Sequence, residues 1–223
     1  MHIYECPDGS KVPSVTTILS ILGNKEIIKW ANNLGFHHIN YEKKLETLAN
    51  DGTKMHTILQ HIVDDTIEDE QIIFKDKLEE NKYSLLADRF RNMIKRYDYK
   101  TIFTEKSFVS SKLGYGGTID WFANMSGLYM INDFKSSKKV YIKHLLQIGG
   151  YYNLLVENGY KVDGGSIILV NEKIASLFPV GEESLKYLGD IFNHIACAYS
   201  KMHYNDTSES INYDASILEK IKH

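Results

Sequence analysis

Apolar residues recur at intervals of three and four along the first third of the chain, then switch to short alternating runs from about residue 100. The first pattern predicts helices over residues 25–34, 41–50, 53–64 and 83–97. In the third of these, Met55, Ile58, Leu59, Ile62 and Val63 form one stripe, with Asp51 as its candidate cap. Ser14 after Pro13 predicts the N-cap of a short helix that Gly23 stops. The second pattern predicts three successive antiparallel strands over 101–110, 117–124 and 128–135, separated by Gly and Ser turns. A helix over 140–157 ends at Asn158-Gly159, strands follow at 166–170 and 174–180, and a helix over 182–203 closes the pattern. Residues 1–223 thus read as a single α/β domain. It has a helical N-terminal part (1–98), a sheet core (99–204) and a polar tail (205–223).

Composition narrows the class. With 223 residues, 43% apolar and 25% charged, the chain can bury a core without disulfide or metal staples. The longest apolar run, residues 195–199, is far too short to cross a bilayer, and the first residues lack the layout of a secretion signal. Cys6 and Cys197 are the only cysteines, which excludes a four-cysteine zinc site or an iron–sulfur cluster and points to a reducing compartment. An intracellular, soluble protein is expected, with no membrane partner. The net charge of −3 does not by itself indicate a nucleic-acid partner, but the charge is unevenly spread. Eight acids crowd residues 64–80 against Lys75 and Lys77, a stretch that reads as an exposed connection. Lys135, Lys138, Lys139 and Lys143 come with no acid between Phe134 and Val156, so a local basic lane is compatible with the acidic total.

Chemistry concentrates in Gly117-Thr-Ile-Asp120 and Asp133-Phe-Lys135. Asp133 and Lys135 are two apart on a strand and share a face. A hairpin turning at Ser126-Gly127 sets Asp120 directly across from Asp133, with Cβ atoms roughly 5 Å apart. Facing carboxylates repel unless a cation lies between them, and a hard divalent ion such as Mg²⁺ suits the gap. The alternative is a pair of ordinary strand-end acids with Lys135 as a salt-bridge partner. Both acids, however, interrupt otherwise apolar strands (Ile119, Trp121, Phe122; Met130, Ile131, Phe134), and buried charges persist only when paired or ligating.

These segments together resemble the PD-(D/E)XK nuclease superfamily, in its RecB-like exonuclease branch. Gly52-Thr-Lys-Met-His56 resembles the branch's upstream G-x-x-x-H helix motif, and Glu105 the acid that opens its first core strand. Gly117-Thr-Ile-Asp120 resembles the first metal aspartate, Asp133-Phe-Lys135-Ser-Ser the D-x-K element, and Gln147-Ile-Gly-Gly-Tyr151 the Q-x-x-x-Y helix motif. With Pro13-Ser-Val-Thr16, the spacings are most similar to mitochondrial genome maintenance exonucleases and their phage relatives. Two positions depart from the pattern: Ile119 rather than proline precedes Asp120, and the second acid is Asp133 rather than glutamate.

The resemblance implies a restriction-endonuclease-like αβββαβ core with a mixed central sheet flanked by helices. It implies one or two Mg²⁺ or Mn²⁺ ions held by His56, Asp120, Asp133 and the main-chain carbonyl of Phe134. Lys135 is then catalytic, with Gln147 and Tyr151 set against it and the substrate backbone. Glu105 stays open between a second metal's ligand through water and a salt-bridge acid. The implied partner is DNA; Ser14, Lys138, Lys139, Lys143 and His144 are candidates for its phosphates, with a solvated surface run as the alternative for the lysines, and Ser136 stays open between a phosphate contact and a turn or cap role. Tyr115, Trp121 and Trp30 are candidates either for base stacking or for the core. The implied activity is exonucleolytic hydrolysis of single-stranded DNA or DNA ends. A structure-specific endonuclease and a non-cleaving DNA-end-binding protein are the alternatives.

Overall fold

The computed structural model describes residues 3–23, 25–66 and 73–204; the polar tail and the middle of the acidic stretch lie outside the described residues. The chain opens with a small antiparallel hairpin, β1 (Ile3–Glu5) and β2 (Lys11–Pro13). Helix α1 (Val15–Leu19) follows, with the Ser14 hydroxyl accepting the Thr17 amide as its cap, and a 3₁₀ turn carries it to Gly23 at φ +61°. Next come α2 (Lys25–Phe36), α3 (Tyr41–Val63) and α4 (Lys77–Ile94). The sheet core is β3 (Tyr99–Ser110), β4 (Tyr115–Met125), β5 (Leu128–Lys135), α5 (Ile142–Glu157), β6 (Gly164–Val170), β7 (Ala175–Gly181) and α6 (Glu182–Tyr204).

The five large strands form one mixed sheet in sequence order. The β4–β5 hairpin turns at Ser126-Gly127, with φ +51° and +90°, the left-handed pair that a tight hairpin requires. α5 is the crossover that makes β6 parallel to β5, while the other pairings are antiparallel. The fold is therefore α/β, a five-stranded mixed sheet flanked by helices, and α4-β3-β4-β5-α5-β6 carries the expected αβββαβ order.

Each face of the sheet has its own apolar layer. Met55, Leu59, Phe90 and Ile94 of α3 and α4 pack on Trp121, Phe134 and Ile168. On the other face Val15, Ile148, Leu154 and Phe192 of α1, α5 and α6 pack on Phe122, Ile131 and Ile167.

Two expectations change, and one element is new. The helices expected at 41–50 and 53–64 are one continuous helix, because Asp51 is not a cap: its carboxylate accepts from Lys82 Nζ (2.9 Å) and the Tyr83 hydroxyl (2.8 Å) on α4. The helix expected at 83–97 starts at Lys77, where the Asp76 side chain accepts the Glu79 amide; residues 77–80 therefore belong to a helix rather than to a connection. The β1–β2 hairpin had no expectation, since three-residue strands are too short to show alternation.

Candidate metal centre

The site forms where the central strands part. The β4–β5 ladder runs from Met125↔Leu128 to Trp121↔Asn132 and stops there, one step short of Asp120 and Asp133. The register matches the one the Ser126-Gly127 turn demands. The acids nevertheless do not sit as an ordinary paired step, because Asp120 spans the split and its Oδ2 accepts the Phe134 amide at 2.8 Å. Across β3, the pairs Thr104↔Trp121 and Lys106↔Ile119 bracket Glu105 and bring it opposite Asp120.

Alternation breaks at this step. Thr104 and Trp121 face α3, where the Thr104 hydroxyl donates to Asp64 and Trp121 joins the Met55 layer. Two residues away, Lys106 meets Tyr160 and Ile119 joins the α5 layer. Glu105 absorbs the change with φ +43°, a conformation that a non-glycine residue adopts only when its surroundings enforce it. A shift in the β3 register between Thr101 and Phe103 sets which residue reaches this position.

α3 supplies the imidazole. His56 Nδ1 stands 3.5 Å from Asp120 Oδ2 and 3.9 Å from Glu105 Oε1, its ring edge-on to Phe134. Ligand-type atoms of His56, Glu105 and Asp120 all lie within 4.8 Å of one another, one nitrogen and two oxygens. That donor set suits Mn²⁺, and Mg²⁺ with water completing its shell. Asp133 stands beside this trio. It is fully buried, with its Oδ2 in an ion pair 2.7 Å from Lys135 Nζ, and its Oδ1 has no hydrogen-bond partner among the described residues. A buried carboxylate with an unpartnered oxygen beside such a trio fits a cation. Of the residues that the resemblance assigns to metal, His56 and Asp120 are thus brought together with Glu105, and Asp133 is joined to the group through its lysine. Phe134 contributes its amide to Asp120 and its ring to the α3–α4 layer.

The charges are interdependent. Burial, then the Asp133 carboxylate, pushes Asp120 up to about 7. Burial opposes the charge on His56, but Glu105 and Asp120 outweigh it and raise the imidazole above its usual value. Lys135 is likewise disfavoured by burial, yet Asp133 and Asp120 hold it as a cation to higher pH than an ordinary lysine. A metal needs both Asp120 and His56 deprotonated, so protons compete with it. Mn²⁺ affinity is expected to fall at least about tenfold between pH 8 and pH 6, because only about one Asp120 in ten is ionised one unit below its pKa. Calorimetry in buffers of different ionisation enthalpy reads both the affinity and the protons released; an affinity independent of pH contradicts the assignment.

α5 lines the other side. Gln147 Nε2 donates to the Tyr151 hydroxyl at 2.8 Å, both side chains being buried. Burial, then the Asp133 charge, raises Tyr151 well above the usual phenol range, so it remains a hydroxyl donor. Gly117 makes this possible: a Cβ there would lie 2.6 Å from the Tyr151 ring. His144, one turn before Gln147, accepts the Tyr141 amide at Nδ1 (3.3 Å). Burial, then the Lys135 charge, lowers it to about 4, so at neutral pH its ring is an uncharged donor rather than a cation.

The remaining candidates scatter. Ser136, Lys138 and Lys139 are exposed on the loop after β5 and Lys143 is half-buried on α5, with Lys139 lying over the Tyr141 ring. Ser14 is only 4% exposed and its hydroxyl is engaged with Thr16 and Thr17, so it is spent as a cap. Tyr115 and Trp121 are fully buried core residues, and Trp30 is half-buried against Tyr41. Sequence reasoning missed Tyr4, whose hydroxyl bonds Thr118 Oγ1 at 2.9 Å, two residues from Asp120. Its only signal was an aromatic residue in an otherwise unassigned segment.

No helix among the described residues is long and apolar enough to cross a membrane. No family model matches the chain, and no curated protein does. Among solved structures, the crystal structure of SSO0001 is similar at 16% identity and a TM-score of 0.27, over 50% of this chain and 54% of that one. The chain spans about half the length of that structure, and a likeness so slight carries no argument.

Proposed function

We propose that the chain is a metal-dependent deoxyribonuclease that removes nucleotides from DNA ends. The observation that carries the reading is the convergence of His56, Glu105 and Asp120 within 4.8 Å beside the buried Asp133–Lys135 pair. The ordered motifs from Gly52 to Tyr151 support the same reading. His56, Glu105 and Asp120, with Asp133 alongside, would hold Mg²⁺ or Mn²⁺, which when bound supplies Lewis acidity toward a phosphate and acidifies a water. Lys135, held cationic by its two aspartates, offers a fixed positive charge to the phosphoryl oxygens as negative charge builds on them. Asp133 fixes the height of that ammonium, and Gln147 with Tyr151 gives it a rigid polar wall. Lys138, Lys139 and Lys143 grip flanking phosphates without reading bases. The iron–sulfur cofactor of some nucleases has no counterpart in a chain with two cysteines.

The test is digestion of end-labelled single- and double-stranded oligonucleotides beside a covalently closed single-stranded circle. Mn²⁺-dependent shortening from an end, abolished by EDTA and sparing the circle, is the expected result. Cleavage that resists EDTA overturns the metal reading, and a cut circle replaces exonuclease with endonuclease.

A further inference from the structure

A cavity of about 360 Å³ lies between the end of α4, the β6–β7 turn and the start of β7. Arg89, Arg96 and Lys173 line it, with Asn92 and Ser176 as neutral polar groups, and no acid does. Asp88, beside Arg89 in the chain, is taken up by Arg91 at 3.4 Å. Arg89 and Asn92 share one face of α4, and the turn that closes the helix brings Arg96 onto the same hollow. Seven residues at helical rise put the two arginines about 10 Å apart along the axis.

Hydrogen bonds tie this hollow to the segment that carries Lys135. β5 and β6 run parallel, so the loop after Lys135 and the β6–β7 turn leave the same end of the sheet. Asn171 of the turn donates its Nδ2 to the Ser137 carbonyl of that loop at 3.0 Å, and its Oδ1 accepts the Lys173 amide at 2.9 Å. The carbonyls of Asn171 and Glu172 accept Arg89 Nη1, which fixes the guanidinium without cancelling its charge. Lys138, Lys173, Arg89 and Arg96 are therefore carried on one hydrogen-bonded ledge that begins just beyond Lys135.

Three cations around an acid-free hollow fit a polyanion, and their spacing fits a chain of phosphates. At a rise of about 3.4 Å per nucleotide, the two arginines span about three nucleotides of one strand. Such contacts position a backbone and carry no base preference. Resting on the nuclease reading, we propose that the ledge is a second backbone site, which holds the uncut part of a strand while its end lies at the metal centre. A strand gripped at two places binds more tightly the longer it is, until it spans both. Each cut leaves the remainder attached, so digestion is processive.

The test compares oligothymidylates in EDTA, where cleavage does not compete. One has about three nucleotides, enough to occupy only one of the two places at a rise of about 3.4 Å, and the other about twenty. The long strand is expected to bind at least about tenfold more tightly. Arg96→Gln with Lys173→Gln, both exposed positions, is expected to cut that ratio at least about fivefold. It should also lower the salt slope for the long strand by about 1 to 2, and Arg96→Lys with Lys173→Arg should restore both. With Mn²⁺ and a heparin trap, the glutamine variant is expected to release the strand after fewer cuts. The same loss of charge on the opposite face, Lys186→Gln with Lys201→Gln on α6, should change the ratio less than about twofold. Equal affinity for the two lengths, an unchanged ratio in the ledge variant, or an equal fall in the α6 variant overturns the ledge and leaves the nuclease reading standing. Inorganic pyrophosphate binding that Arg96→Gln with Lys173→Gln abolishes, without any dependence on strand length, assigns the hollow to a free phosphate compound and overturns the ledge as well. Absence of DNA binding together with absence of Mn²⁺-dependent cleavage overturns both readings.

Discussion

Asp120→Asn is expected to yield a protein that melts at higher temperature above neutral pH and no longer cuts DNA. The stability half follows from the environment of the carboxylate. Its pKa rises from 3.8 unfolded to about 7 folded, so the folded state holds its proton more tightly. Stability therefore falls as pH climbs from about 4 to about 7 and stays reduced above that. Three pKa units correspond to about 4 kcal/mol in a metal-free protein. Asparagine keeps the shape and still accepts the Phe134 amide, but has no charge to bury. Its own polar burial offsets part of the gain, so a rise of about 5 °C at pH 8 is expected for a domain of this size. At pH 4 the two proteins should melt together, because Asp120 is already neutral there. The activity half follows from the donor set, which loses its central carboxylate. Losing that ligand costs several kcal/mol of transition-state stabilisation, about a thousandfold in rate or more. Thermal melts in EDTA at two pH values, with cleavage rates in Mn²⁺, check both halves. A variant that melts lower at pH 8, or that retains activity, contradicts the site.

The second large effect runs the opposite way in stability. Lys135→Met keeps the aliphatic volume but leaves Asp133 buried without its cation. Removing one partner of a buried pair typically costs about 3–5 kcal/mol. Cleavage should fall about a hundred- to a thousandfold, the effect of losing one fixed charge aimed at the transition state. The double variant Asp133→Asn, Lys135→Met separates the two roles. It is expected to recover most of the lost stability, since neither half remains charged, and none of the activity. Recovery of activity together with stability would reduce Lys135 to a structural partner.

How much of this was legible in the sequence depended on the range of the interactions. The β4–β5 register was readable because two residues, Ser126 and Gly127, fix a tight hairpin locally. The layered α/β order was readable from the change of period near residue 100. The role of Asp51 was not, because its partners Lys82 and Tyr83 lie on another helix and a mid-helix Asp-Gly looks like a boundary. Glu105 stayed ambiguous for a related reason. Its position depends on a register shift a few residues earlier and on its own left-handed backbone, neither of which has a residue signature. His56 was marked by resemblance alone; nothing in the stripe of α3 separates a ligand imidazole from a surface one until Asp120 is seen 3.5 Å away.

The two apolar layers on opposite faces of the sheet bear on how the chain acquires its chemistry. His56 arrives with one layer, Gln147 and Tyr151 with the other, and the acids lie in the sheet between. The proposed metal donors need only the first layer: docking α3 on the sheet sets His56 beside Glu105 and Asp120, and the second layer adds the Gln147–Tyr151 wall. An ion held there would stabilise every state in which α3 stays docked. It would slow unfolding to the extent that undocking of α3 belongs to the barrier.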